Sequence, residues 1–177
     1  MPAQTHGRTI LLLCIKFALL APVCLVAWLL IMPAYAWVLA HVTGAFLRFV
    51  LGKPIEGAFV NAAGLLNTGT ELGFVMTGGA RPAMRDVGHL VTNVAPFVAL
   101  VLATDGVTIK RRLKILGIGV GIMVLAHALT IILRFVAGRS VLPTAIGFLS
   151  ITLPFLLWIV LAYWDKLLAY FAVDDGS

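Results

Sequence analysis

Long apolar runs separated by short polar stretches dominate the pattern along the chain. A helix that crosses a bilayer needs about 20 mostly apolar residues. Residues 9–32, 113–137 and 142–164 reach that length, and residues 87–104 come close to it. These runs predict an all-α polytopic integral membrane protein, with four to five helices that span the membrane or lie at its interface.

The apolar segment formed by residues 33–52 admits two interpretations. It contains Trp37, His41 and Arg48, and aromatic residues beside a cation favour the membrane interface. We interpret it as a helix lying at the outer interface, with a spanning helix as the alternative. In either case residues 1–177 are expected to form a single membrane domain.

The polar segment formed by residues 53–86 has no helical apolar stripe. Short stretches that resemble strands flank the sequence "NTGT" within it, and such a pattern favours a small β-hairpin. An irregular loop is the alternative.

Composition supports the membrane class. The chain is 62% apolar and 11% charged, which is too little polar surface to cover a water-soluble globule. Its net charge of +6 is typical of a membrane protein with basic cytoplasmic loops. Because no basic run is interleaved with exposed aromatic residues, nucleic acid is not an expected partner.

A basic cluster sets the predicted orientation. It lies between the third and fourth long apolar segments and consists of Lys110, Arg111, Arg112 and Lys114. By the positive-inside rule this loop faces the cytoplasm. Residues 53–86 therefore face outward, and residues 165–177 form a cytoplasmic tail. The expected location is the bacterial cytoplasmic (inner) membrane.

The stretch "RPAMRDVGH" gathers charged residues next to an apolar helix. Pro82 suits the first turn of a helix, and the flanking charges then form a collar at its outer end. The collar is interpreted as interfacial, with side chains reaching the lipid phosphates. The alternatives are a pocket for an anionic head group or a peptide, and a catalytic cluster containing Asp86 and His89. The arginines expected to contact head groups or partners are Arg48, Arg81 and Arg85.

The apolar segment at residues 113–137 contains glycines and ionisable residues. Gly117 and Gly121 lie four apart on one face, which predicts close packing against another helix. His127 lies near the middle, where an ionisable side chain is costly, so it either packs through a hydrogen bond or takes part in chemistry. Arg134 is deep enough to reach an exterior-facing site.

Cofactor and metal motifs are absent from the sequence. The histidines at positions 6, 41, 89 and 127 are scattered, and no phosphate loop or dinucleotide fingerprint occurs. No cofactor or metal is therefore expected. Cys14 and Cys24 lie about 15 Å apart along one helix, too far to form a disulfide.

Residues 33–138 resemble the core of the exosortase and archaeosortase family. The resemblance is carried by the succession of "AHVTGAFLRFVLG", "KPIEGAFVN", "GTELGFVM", "TIKRRLKILGIGVG" and "LTIILRF". It implies a membrane transpeptidase that cuts a C-terminal sorting signal with a cysteine, an arginine and a histidine near the outer face. Arg134 matches the arginine of the family.

Two of the three catalytic groups implied by the resemblance have no counterpart. No cysteine follows "ELGFVM", and the last apolar segment has no histidine. The expected function is therefore a non-catalytic membrane subunit that binds lipid or other membrane-protein subunits in a larger complex. The alternative is a transpeptidase or protease of the same scaffold with altered active-site residues, for which the candidates are Asp86, His89, His127 and Arg134.

Overall fold

The computed structural model describes residues 3–78, 83–86, 92–137 and 151–164. Within these ranges the chain is mostly helical, with a small sheet inserted after the first helix. The elements in chain order are α1 (Ala3–Phe49), β1 (Ile55–Asn61), β2 (Glu71–Met76), β3 (Ala83–Asp86), α2 (Val94–Ala103), α3 (Ile109–Ala137) and α4 (Ile151–Trp164).

Two of the described helices are long and apolar enough to cross a membrane. They are α1, over Ile10–Phe49, and α3, over Ile109–Val136. α2 and the described part of α4 are apolar but shorter. Many large apolar side chains of the two long helices point outward; Leu19 is 70% exposed and Leu125 67%. Exposed apolar surface of this extent suits contact with lipid or with other apolar partners.

Helix α1 runs without interruption through Pro33, where the sequence predicted a boundary between two segments. A proline has no N–H, so the carbonyl of the residue four positions earlier loses its helical partner. For Pro33 the residue four positions earlier is Leu29. Its carbonyl oxygen accepts a hydrogen bond of 3.2 Å from Nδ2 of Asn67. The helix also continues through Pro22, so a proline does not by itself end it. The prediction of a separate helix at residues 33–52 is wrong, because α1 is continuous from Ala3 to Phe49.

An ion pair and an exposed aromatic ring mark two levels along α1. Lys16 Nζ lies 2.6 Å from an oxygen of Asp105, in the loop between α2 and α3. Trp37 is exposed and lies about 31 Å further along the helix, at about 1.5 Å per residue. This separation is close to the roughly 30 Å thickness of a bilayer hydrocarbon core.

The described strands form a three-stranded antiparallel sheet in the order β1-β2-β3. The hairpin expected between residues 53 and 86 is thus present, and β3 extends it. The sheet packs on the C-terminal half of α1, where a Cβ at Gly44 would lie 3.4 Å from Cβ of Ala58 and 3.5 Å from the ring of Phe74. Phe74 also meets Phe135 of α3 edge to face, with ring centroids 5.8 Å apart.

Strand β3 replaces the helical collar predicted from Pro82. Arg85 lies opposite Leu72 and Asp86 opposite Glu71 in the β2–β3 ladder. The charged residues have the spacing of a helix face, but residues 83–86 form a strand instead. Pairing with β2 satisfies the backbone N–H and C=O groups of this segment. Among the described residues, the helix that follows begins at Val94 rather than near residue 87.

Helices α2 and α3 meet closely at a glycine that differs from those predicted. A Cβ at Gly119 would collide with Cζ of Phe97, so the ring of Phe97 occupies the space above that glycine. Around Gly117 and Gly121 no atom lies within 4 Å of such a Cβ. The predicted packing of these two glycines is therefore not made within the described part of this chain, and packing against another chain stays a prediction.

The other two long segments agree broadly with the sequence. α3 begins at Ile109, four residues before the predicted start, and ends at Ala137. The described part of α4 is Ile151–Trp164. Residues 142–150 and 165–177 lie outside the described residues, so both bounds of this segment stay predictions. The core lies between the outer half of α1, the sheet, α2 and α3; its largest fully buried side chains include Met32, Leu39, Leu47, Leu72, Phe74, Phe97 and Met123.

The first prediction concerns orientation. Lys53 and Thr108 lie at opposite ends of the structure, next to the outer end of α1 and to Asp105 respectively. Cysteines introduced at these positions, in a Cys14→Ala, Cys24→Ala background, should react with an impermeant maleimide from opposite sides of sealed vesicles. We expect Lys53→Cys to label from the outer face and Thr108→Cys from the cytoplasmic face. Labelling of both from one side would contradict this arrangement.

The second prediction concerns the carbonyl of Leu29. Asn67→Gly removes the amide without straining the backbone, because position 67 has φ of 62° and glycine adopts that conformation readily. Loss of the donor should lower the free energy of unfolding by about 1 to 3 kcal/mol, measured by thermal unfolding in detergent.

Pro33→Ala supplies the matched background for this experiment, because it restores an N–H that can donate to Leu29. We expect Asn67→Gly to lower the free energy of unfolding by less in that background. The loss that remains is the conformational entropy that glycine adds to the unfolded chain. Equal losses with and without Pro33 would show that Asn67 does not act through this carbonyl.

Candidate functional site

The candidate site is a cluster of aromatic rings between α1 and α3. Tyr35 Oη lies 2.9 Å from Nδ1 of His127, and their ring centroids are 6.0 Å apart. Trp28 meets Tyr35 edge to face, with centroids 5.0 Å apart. Trp28 and Tyr35 are seven residues apart, so they lie on one face of α1. The cluster connects the two long helices through one side-chain hydrogen bond.

Two nitrogens of this cluster are buried and have no hydrogen-bond partner among the described residues. They are Nε1 of Trp28 and Nε2 of His127. The indole N–H can only donate, while a neutral imidazole has one donor and one acceptor, one of which is used by Tyr35. A buried polar atom without a partner is costly. The cluster could therefore bind one further polar group.

The hydroxyl groups of two nearby threonines are already engaged. Thr43 and Thr130 are fully buried, and each donates to the backbone carbonyl four residues earlier in its own helix. This is a usual way to satisfy a hydroxyl inside a helix. In this region, the buried nitrogens that remain without a hydrogen-bond partner among the described residues are thus those of Trp28 and His127.

A second polar region lies at the C-terminal end of α1. A groove of about 180 Å³ is bordered there by His41, Arg48 and Glu56. The ring of His41 stacks near Trp37 at a centroid distance of 4.0 Å, and its Nδ1–H donates to the Trp37 carbonyl. Arg48 is exposed, with its guanidinium carbon 5.3 Å from the ring centroid of Phe49.

The position of Arg48 bears on its predicted contact with lipid head groups. Arg48 lies about 16 Å beyond Trp37 along α1, at about 1.5 Å per residue. The polar interfacial layer of a bilayer is only about 5 to 8 Å thick on each side. A contact between Arg48 and a head group therefore requires α1 to tilt, and the contact stays a prediction.

Polar contacts around Thr104, at the C-terminal end of α2, connect the loop after α2 to α3 and α4. Arg112 Nη2 donates to the carbonyl of Thr104 at 2.6 Å. Nε1 of Trp158, from α4, donates to Oγ1 of the same threonine at 2.8 Å. The basic cluster at the start of α3 is thus partly committed to holding the loop and α4 in place.

The predicted catalytic candidates are only partly described. His127 is fully buried in the aromatic cluster. Arg134 lies seven residues further along α3 on the same face, about 10 Å away along the axis, and is half-buried. Asp86 belongs to β3, while His89 lies outside the described residues. The described part therefore brings His127 and Arg134 onto one helix face.

The arginines predicted to contact lipid head groups or partners are also only partly described. Arg85 belongs to β3, and Arg81 lies outside the described residues.

Among the described residues, no group of three histidine, cysteine, aspartate or glutamate side chains could hold a metal ion. Cys14 and Cys24 are unbonded, in agreement with their separation along α1.

Sequence reasoning missed Tyr35, Trp28 and Asn67. The seven-residue spacing of Trp28 and Tyr35 was a readable signal, because it predicts a shared face once the helix is continuous. Pro33 was a second signal, since it points to an unpaired carbonyl at Leu29. Nothing in the sequence identified Asn67 as its donor, because that contact depends on how the hairpin packs.

Comparison of the chain with family models, with curated proteins and with solved structures found no match. The site is therefore interpreted from its own geometry.

The third prediction tests the hydrogen bond between Tyr35 and His127. A double-mutant cycle with Tyr35→Phe and His127→Leu should give a coupling energy of about 0.5 to 2 kcal/mol, the range found for side-chain hydrogen bonds between helices in lipid. The measurement is the free energy of unfolding in mild detergent. Additive effects of the two substitutions would show that the contact does not hold α1 and α3 together.

Proposed function

We propose that this chain is a polytopic protein of the bacterial inner membrane, and that it serves as a non-catalytic subunit of a larger membrane complex. Its role would be to bind lipid and other membrane-protein subunits on a scaffold that resembles the exosortase family. The helices α1 and α3 would cross the bilayer, and the segments that contain α2 and α4 would cross it beside them.

The distribution of apolar side chains supports the membrane part of the proposal. Outward-facing leucines, isoleucines and valines occur along both α1 and α3. Charged and aromatic markers at Lys16 and Trp37 are separated by about the thickness of the hydrocarbon core. An apolar exterior between two such levels is what a lipid environment requires.

The environment of His127 carries the non-catalytic part of the proposal. This side chain is fully buried, and Tyr35 occupies its Nδ1. A general base has to come within hydrogen-bonding distance of the group that it deprotonates. Because His127 joins α1 to α3 inside the core, its geometry supports a role in helix association.

An exposed glycine face on α3 supports the proposed binding of another subunit. Gly117 and Gly121 leave open space above the helix backbone, and small residues let helices approach closely in lipid. Helix association in a membrane depends on such close packing because lipid provides little hydrophobic driving force.

The alternative function is a transpeptidase or protease with altered active-site residues. Arg134 favours it, because this residue matches the family arginine and shares a helix face with His127. In that case the reacting groups would have to gather near the outer end of α3.

The fourth prediction tests subunit binding. Gly121→Leu should reduce the size of the complex that the tagged protein forms when it is extracted from its native membranes in mild detergent, measured by native electrophoresis. The chain itself should keep its unfolding temperature, because no described atom lies near Gly121 and leucine has a higher helix propensity than glycine.

Gly119→Leu provides the matched control, since it collides with Phe97 and should destabilise the isolated chain. An unchanged complex with Gly121→Leu would contradict binding through this face. The alternative function predicts instead that Arg134→Gln abolishes processing of a reporter with a C-terminal sorting signal while leaving expression and complex size unchanged. The subunit proposal predicts no change in reporter processing.

A further inference from the structure

We propose that the tip of the β1–β2 hairpin, residues 62–70, inserts into the outer leaflet of the membrane, where Leu65 and Leu66 contact lipid acyl chains. This inference rests on the proposed membrane location of α1 and adds a second point of contact with the bilayer. The segment would enter from the outer side and return to it.

The depth of the tip follows from two contacts along α1. Near its start the hairpin meets α1 at Gly44, beside Ala58. At its tip Asn67 bonds to the carbonyl of Leu29. β1 therefore runs back along α1 toward the inner end, and Asn67 comes level with a residue about 12 Å below Trp37 at about 1.5 Å per residue.

The face of α1 at that depth is apolar and open. Leu30 and Ile31, which follow Leu29 directly, are 62% and 55% exposed. If these residues face acyl chains, the hairpin tip that lies beside them at the same level must also be within the hydrocarbon layer.

Several backbone polar groups near the tip have partners within the tip, which reduces the cost of placing them in lipid. The amide N–H of Gly69 donates to the carbonyl of Ala63 at 2.8 Å, and that of Thr68 donates to the carbonyl of Leu65 at 3.2 Å. The Asn67 carbonyl accepts from Oγ1 of Thr70 at 2.7 Å. The tip is thus folded onto itself through short-range hydrogen bonds.

The two leucines occupy positions that an aqueous turn would not favour. Leu65 is 85% exposed, and Leu66 has φ of 53°, a left-handed conformation usually taken by glycine or asparagine. Two adjacent exposed leucines leave apolar surface in contact with water, which is unfavourable. Contact with acyl chains would offset this cost by burying their apolar surface.

A polar pair marks the level at which insertion would stop. Asn61 and Glu71 lie opposite each other at the ends of β1 and β2. Asn61 is three strand residues beyond Ala58, or about 10 Å, which brings it near the level of Trp37. The polar ends of the strands would then lie at the interface, with only the tip below it.

The fifth prediction uses spin labels in a Cys14→Ala, Cys24→Ala background, with the protein reconstituted into phosphatidylcholine and phosphatidylglycerol vesicles. Labels are placed singly at Leu65→Cys, Leu30→Cys and Lys53→Cys. Collisions with molecular oxygen, which concentrates in the bilayer, are compared with collisions with nickel ethylenediaminediacetate, which stays in water. We expect the label at position 65 to collide with oxygen and to be protected from nickel, as at position 30, whereas position 53 should show the reverse.

The outcomes separate this inference from the proposed function. Nickel access at position 65 together with protection at position 30 would overturn tip insertion and leave the membrane location of α1 intact. Nickel access at both positions would contradict the membrane location itself. Protection of position 65 from both reagents would mean that a second copy or another protein covers the tip, and this result would also overturn the contact with lipid.

Discussion

The hydrogen bond from Asn67 to the carbonyl of Leu29 is the contact on which the architecture of the outer half depends. Pro33 leaves that carbonyl without a helical donor, in a part of α1 surrounded by apolar side chains. An unpaired carbonyl in such surroundings is costly. The hairpin supplies the donor, so α1 is stabilised where it would otherwise bend, and the hairpin is held against the helix at the same time.

Because α1 is continuous, it provides a common axis for the other elements. The loop between α2 and α3 is attached to the N-terminal half of α1 through Lys16 and Asp105. The aromatic cluster attaches α3 further along, through Tyr35 and His127. The sheet packs on the C-terminal part of α1 around Gly44. A bend at Pro33 would change the position of the last two contacts relative to the first.

The sequence correctly predicted the elements whose formation depends on local composition. Its predictions were wrong where the conformation depends on a residue that is distant in the sequence. The long apolar runs corresponded to α1, α3 and α4, and the segment around "NTGT" corresponded to a hairpin. The boundary at Pro33 and the helix from Pro82 were wrong because Asn67 and strand β2 satisfy backbone groups that local rules leave unpaired. His127 was recognised as an unusual buried residue, but its partner Tyr35 became visible only once α1 was known to be continuous. Helices α2 and α3 come closest at Gly119 because the ring of Phe97 packs over that glycine. The four-residue spacing of Gly117 and Gly121 did not predict this contact.

The 38 residues that separate Leu29 from Asn67 impose an order on the biosynthesis of the chain. When Pro33 is added to the growing polypeptide, the side-chain amide of Asn67 has not yet been made. Until the hairpin has formed and packed against α1, the carbonyl of Leu29 lacks the donor that it has in the folded structure. The pairing of backbone groups in the first helix is thus completed by a later part of the polypeptide.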